Sequence, residues 1–321
     1  MEFSFSRQSE LSTLYNKIMV RENLNLYGPT GIGKTYFIKK LQAKLEGRRV
    51  CFYRSLRGII STQQYLNELI RDMREVAKQH SNLDYQLRRH LESHPIYQYE
   101  SLSQLNSWFH ELSLMLGQIG IDFLFIFDDL HEWEDEEGLP YLIEHFELLN
   151  KASNCQLLFV SNRNSSEQLK NLKISSFELL AIPIHKIWNE PLDWQQKAYD
   201  YSQGNTIFLL EIIQYCLSYD GDFTRAKTSL MNDYHPVLGQ VKRRFTKLQW
   251  SLLRAIAFEE VVEQPHAFDF LVRHKLGAAS SVERALRNLN DSQMIIKTEK
   301  GWKLSNIIYQ RWLQWLYSRS H

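Results

Sequence analysis

Eight residues constrain this chain more than any other stretch: Gly28-Pro-Thr-Gly-Ile-Gly-Lys-Thr35, set between the apolar run "LNLY" and the amphipathic run "YFIKKLQAKL". Glycine at Gly28, Gly31 and Gly33 breaks both a strand and a helix, so the segment reads as a tight loop joining the two. A loop of this composition lets backbone N–H groups converge on one point without Cβ interference. A helix that starts there adds the positive end of its dipole to the same point. The pattern is G-x-x-x-x-G-K-[ST], whose convergent donors, lysine and adjacent hydroxyl suit a polyphosphate and its metal ion. Gly28, Pro29, Thr30, Gly31, Ile32 and Gly33 are expected to form the cradle, with Pro29 setting its turn. Lys34 is expected to reach the β- and γ-phosphates. Thr35 offers its hydroxyl to Mg²⁺, which keeps water and phosphate for most of its other ligands. ATP with Mg²⁺ is the expected ligand pair.

Around this loop, the first half of the chain alternates short apolar runs with longer amphipathic ones, the pattern of strands and crossover helices in a parallel α/β sheet. Strands are expected at 23–27, 49–53, 122–128, 156–161 and 177–181, with two or three helices in 62–118. In such sheets ligands meet the carboxyl ends of the strands. The run "IDFLFIFDDLHEW" ends on Asp128-Asp129, which places Asp128 to hold Mg²⁺ through water and Asp129 to orient an attacking water. The plainer reading is that the pair begins a solvated acidic loop, and Glu132 to Glu137 are assigned to such a face. A second run, "CQLLFVSNRNSS", ends on Ser161-Asn162-Arg163. Asn162 can bond a γ-phosphate or the water, and Arg163 can stabilise charge on a transferred phosphoryl group. A turn asparagine beside a surface arginine is the alternative.

Three units are expected: an α/β domain at 1–185, a helical lid at 186–236 and a winged helix-turn-helix at 237–321. The lid reads as short helices through "WQQKAYDYSQG", "NTIFLLEIIQYCLS" and "DFTRAKTSLMND". Beyond it come a helix, a second helix, a turn, a third helix and two alternating strands around Glu299-Lys300-Gly301, which is the winged-helix order. The third helix, 280–289, places Val282, Ala285, Leu286 and Leu289 inward and leaves Ser281, Arg284, Arg287 and Asn288 outward. From Leu238 onward there are 14 Lys+Arg against 7 Asp+Glu; against a whole-chain charge of +1, the rest of the chain carries −6. Arg284 and Arg287, with Lys297, Lys300 and Lys303 of the wing and Lys242-Arg243-Arg244, suit double-stranded DNA. They equally suit a partner protein or an acidic face of the same chain. Trp302, Trp312 and Trp315 read as core of this module.

Composition excludes little else. Cys51, Cys155 and Cys216 are scattered and odd in number, which suits buried small hydrophobes better than a disulfide frame or a metal cluster. No apolar run approaches the ~20 residues of a membrane span, and "MEFSFSRQSE" lacks the features of a signal peptide. A cytoplasmic protein with no membrane role is expected.

These residues together resemble the AAA+-related P-loop ATPases of the archaeal-ATPase type, within or beside the signal-transducing STAND group and similar to origin-initiator ATPases. The resemblance covers nearly the whole chain. It runs from Phe5, Arg7, Glu10 and Leu11 in "FSFSRQSELSTLYNKI", through "GPTGIGKT", "FIFDDLHEW" and "FVSNR", to the closing "SNIIYQRWL". It implies that Arg7 and Glu10 lie near the adenine side of the domain, either touching the base or bracing the first helix. Three departures stand out. Gly204-Asn205-Thr206 has threonine where the family commonly has proline, Asp129 stands where many relatives have glutamate, and the lid segment 191–233 holds only Arg225. The shortage of lid arginines also argues against a small-molecule kinase. The resemblance implies an ATP-hydrolysing, DNA-associated ATPase whose nucleotide state repositions the winged helix; oligomerisation is compatible with it. The departures imply the alternative, a slow nucleotide-dependent switch or scaffold holding a partner protein.

Overall fold

The computed structural model describes residues 7–79, 85–93, 102–118, 120–130, 133, 139–162, 164, 169–188 and 190–318. Two compact units divide the chain: Arg7–Pro29 with Lys34–Leu180, and Thr30–Gly33 with Ala181–His321.

The first unit is built on five strands, β1 (Leu24–Tyr27), β2 (Val50–Ser55), β3 (Phe123–Asp128), β4 (Cys155–Ser161) and β5 (Ser175–Glu178). They form one parallel sheet in the order β2-β3-β4-β1-β5. Helices α1 (Gln8–Met19), α2 (Lys34–Leu45), α3 (Thr62–Gln79), α4 (Tyr85–Ser93), α5 (Leu102–Gln118) and α6 (Leu139–Lys151) connect and cover it. β3 and β4 are buried along their whole length, as continuous apolar runs in a two-sided parallel sheet must be. Phenylalanines fill one face: Phe52 stacks on Phe125 at 4.8 Å, and Phe146 packs against Phe127 at 4.6 Å and Phe159 at 4.8 Å. Among its described residues, segment 62–118 holds three helices, the upper figure expected.

β5 departs from its expected position at 177–181. A short 3₁₀ turn at Lys170–Leu172 closes on Lys173 in a left-handed conformation, which lets the strand begin early. β1 has only four residues to offer, and the ladder pairs Leu24–Tyr27 with Ser175–Glu178, so the strand also ends early.

The second unit contains α7 (Asp193–Ser202), α8 (Thr206–Ser218), α9 (Phe223–Val241), α10 (Lys247–Glu259), α11 (Phe268–His274), α12 (Ala279–Asp291), β6 (Ile295–Thr298), β7 (Gly301–Leu304) and α13 (Ile307–Ser318). Side-chain caps start four of these helices: Asn205 accepts from the Phe208 N–H, Asp222 from that of Arg225 and Asn306 from that of Ile308, and Thr246 with Gln249 closes a reciprocal capping box. α9 runs eight residues past the expected stop near Asp233. Pro236 lies within it, and the cost of the missing N–H is offset because Tyr234, Leu238 and Val241 continue the helix's apolar face onto the core. β6 and β7 form an antiparallel hairpin, and Val262 bridges to Trp302 as a third edge. Gly301 permits that approach: at φ +128°, a Cβ there would sit 2.6 Å from the Val262 carbonyl oxygen. One apolar core runs through this unit from Phe208 and Ile212 to Leu253, Leu286 and Trp312. Trp312 is fully buried, and Trp302 and Trp315 pack against the same core, as expected of all three. Among the described residues, no helix is long and apolar enough to cross a membrane.

Candidate functional site

Parallel pairing brings the carboxyl ends of β1, β3 and β4 to one edge of the sheet, and α2 begins immediately beyond them. Lys34, its first residue, is buried and spends all three ammonium donors locally. Its Nζ donates to the carbonyl oxygens of Gly28 at 2.7 Å and Pro29 at 3.1 Å, and to Oδ1 of Asn162 at 2.9 Å. Burial pushes its pKa down to about 8, while Asp128 and Asp129 pull the other way.

Thr35 follows on the same helix and donates from Oγ1 to Oδ2 of Asp128 at 2.9 Å. Asp128 closes β3, buried to 2% exposure, and its other oxygen accepts the Asp129 N–H at 2.8 Å. Burial, then the neighbouring Asp129, raises the Asp128 pKa, and the hydrogen bonds it accepts oppose that rise. A threonine hydroxyl and one carboxylate within hydrogen-bond distance are a hard-oxygen pair. They fit an ion such as Mg²⁺ that retains most of its water and phosphate ligands.

The four expected residues Lys34, Thr35, Asp128 and Asn162 thus lie together. Asp129 lies beside them in a left-handed conformation, φ +59°, and its carboxylate is engaged elsewhere. Ser55 donates to its Oδ2 at 2.8 Å and Arg57 to its Oδ1 at 3.3 Å. Arg163 and most of the acidic run 132–137 lie outside the described residues, as does Phe5. Arg7, immediately before α1, pairs with Glu10 at 3.7 Å.

Three residues of this edge were not anticipated: Tyr53, Ser55 and Arg57. Tyr53 donates from its hydroxyl to Asp128 Oδ2 at 2.9 Å. Chain order alone does not place β2 next to β3; the observed register sets Ser55 opposite Asp128. The available signal was a strand ending "FYRSLR", where polar residues take over from apolar ones at a carboxyl end, as in β3 and β4.

Thr30–Gly33 belongs to the second unit, where the carbonyl oxygens of its first three residues are held. Thr30 accepts from Asn205 Nδ2 at 2.9 Å, Gly31 from the Ile207 N–H at 3.2 Å, and Ile32 from Thr206 Oγ1 at 3.2 Å. Gly31 stands at φ +81°, and a Cβ there would lie 2.3 Å from Asn205 Nδ2. Thr206, in the position where proline is common among the ATPases that the chain resembles, supplies a donor that proline lacks. Arg225 stacks on Tyr219 with its guanidinium carbon 4.6 Å from the ring centre.

On α12 the inward and outward sets match expectation. Val282, Ala285, Leu286 and Leu289 are buried, and Ser281, Arg284, Arg287 and Asn288 are exposed. Lys297 and Lys300 on the hairpin are exposed as well, with Lys297 Nζ 5.9 Å from the centre of the Trp302 ring. Among the described residues, neither Arg284, Arg287 nor Lys300 enters an ion pair, whereas Arg273 and Arg311 pair with Glu259 and Glu260.

Residues 237–315 match the family model described as "Probable winged helix domain". The Walker-type ATPase of Pyrococcus abyssi is similar in structure, with a TM-score of 0.66 over 97% of this chain and 96% of that one, at 16% identity. The Orc1 protein of Aeropyrum pernix, solved in complex with DNA, gives a TM-score of 0.50 over 98% and 94%, at 12% identity. No curated protein matches the chain by sequence. The chain therefore has the parallel five-stranded fold of the P-loop ATPases, followed by a C-terminal winged helix domain.

Proposed function

We propose that the chain binds ATP with Mg²⁺ at the loop Gly28–Thr35 and hydrolyses it, and that nucleotide state repositions a DNA-binding winged helix. The observation that carries this reading is the convergence of Lys34, Thr35, Asp128 and Asn162 at the carboxyl edge of the sheet. Gly28, Pro29, Thr30, Gly31, Ile32 and Gly33 cradle the phosphates. Lys34 exchanges its carbonyl and Asn162 partners for phosphate oxygens, and Thr35 with Asp128 holds the metal ion. That ion supplies charge neutralisation on the phosphates. Asn162 contacts the γ-phosphate, Arg163 stabilises charge on it, and Asp129 orients the attacking water.

Coupling to the winged helix is supported by the bonds from Asn205, Thr206 and Ile207 to the loop carbonyls. α8 begins at those residues and shares one core with α10, α12 and α13. DNA as the target is supported by the exposure of Arg284, Arg287, Lys297 and Lys300, of which Arg284, Arg287 and Lys300 enter no ion pair among the described residues, and by a structural relative solved with DNA.

A second reading, a slow nucleotide-dependent switch that holds a partner protein, is favoured by one observation. Asp129 is tied to Ser55 and Arg57, so it must be released before it can orient water. Steady-state ATP turnover, with and without double-stranded DNA across a salt series, separates the two. The DNA-associated ATPase gives multiple turnovers and a DNA effect that fades as salt rises. Sub-stoichiometric turnover that ignores DNA at low salt contradicts it and leaves the switch.

A further inference from the structure

Asp128 receives side-chain hydrogen bonds from two residues among those described, Thr35 and Tyr53, and both donate to the same oxygen, Oδ2, at 2.9 Å. Its other oxygen is held by the Asp129 N–H. The nearby Lys34, Ser55 and Arg57 make their hydrogen bonds to other groups: Lys34 to Gly28, Pro29 and Asn162, and Ser55 and Arg57 to Asp129.

Thr35 cannot fix the carboxylate alone, because its oxygen is also the ligand offered to the metal. A hydroxyl that gives its lone pair to a cation keeps one proton to donate, and any movement toward the ion moves that proton too. Tyr53 is anchored differently: it comes from β2, whose backbone is paired along β3 from Val50 to Ser55. Its phenol approaches Asp128 on a rigid ring with two side-chain torsions, and it has no role as a metal ligand. Apolar packing at this position would be served as well by phenylalanine, so the hydroxyl is the group that needs a reason.

We propose that Tyr53 is a positioning residue for Mg²⁺: its hydroxyl fixes Asp128 Oδ2 from the β2 side, so that the carboxylate faces the ion's water shell in one orientation. This assignment rests on the reading of Gly28–Thr35 as a Mg²⁺-nucleotide site. It adds a residue from a strand that carries none of the expected site residues.

The test compares the full chain with its Tyr53→Phe variant, which removes one oxygen and keeps the ring. A fluorescent ATP analogue is titrated in EDTA and at increasing Mg²⁺, and two quantities are read. One is the factor by which saturating Mg²⁺ tightens nucleotide binding; the other is the Mg²⁺ concentration at half-effect. Loss of a hydrogen bond to a charged group predicts that Tyr53→Phe lowers the first and raises the second by about tenfold. A merely structural role weakens binding equally in EDTA and in Mg²⁺ and leaves both quantities in place. If the parent shows Mg²⁺-dependent binding and the variant matches it within about twofold in both, the Tyr53 assignment is overturned alone. A parent that binds no nucleotide overturns the proposed function and this assignment with it.

Discussion

At the scale of single residues, the site contrasts two aspartates next to each other in sequence. Asp128, itself buried, accepts from Thr35 and Tyr53, whereas Asp129 is drawn by its left-handed backbone toward Ser55 and Arg57. If Asp129 orients the attacking water, Asp129→Asn retains Mg²⁺-ATP binding and lowers turnover by about a hundredfold or more, measured as kcat alongside nucleotide Kd. Equal loss of both would place Asp129 in binding instead. His145 gives a second prediction at this scale. It is fully buried on α6, with Phe109 4.8 Å away, and burial pushes its pKa down to about 4. Its folded value lies below the ordinary imidazole value near 6.5, so the native state binds fewer protons than the unfolded chain as pH falls. The neutral ring is tolerated in full above pH ~6.5, and stability is lost from there down to pH ~4. Urea unfolding at pH 7 and pH 4.5 should show the parent losing about 2 to 3 kcal/mol more than His145→Phe over that interval.

At the scale of elements, side-chain caps mark where α8, α9, α10 and α13 begin. Thr246→Ala removes one arm of the α10 box and should cost about 1 kcal/mol by denaturant unfolding, with Thr246→Ser close to the parent. Much of this scale was legible in the sequence. The loop at Gly28–Thr35, the all-apolar runs of β3 and β4, and the inward face of α12 each follow from local pattern, because burial on both faces, or on one helical stripe, writes itself into residue order. Non-local pairing was not legible. β2 lies beside β3 and β4 lies between β3 and β1, and nothing in the runs themselves encodes those neighbours. Tyr53, Ser55 and Arg57 therefore went unassigned although each touches an expected residue. α9 runs past its expected end for a related reason: tertiary packing of Leu238 and Val241 carries the helix past Pro236.

At the scale of the whole molecule, the charge asymmetry of the sequence includes several exposed cations in the winged-helix segment. Arg284, Arg287, Lys297 and Lys300 are exposed on α12 and the hairpin, while Arg273 and Arg311 are spent on acidic partners. Replacing Arg284 and Arg287 together by alanine should weaken binding to duplex DNA and reduce the slope of log K against log salt by about 2, one contact each. An unchanged slope would direct the winged helix toward a protein instead. Both readings of the winged helix require the same event at the loop. The central claim is that Lys34 anchors a Mg²⁺-nucleotide site, and calorimetric titration of Mg²⁺-ATP into the parent and Lys34→Ala tests it most directly. The predicted result is saturable binding by the parent and binding lost or severely weakened in Lys34→Ala. Equal affinity in the two proteins would contradict it.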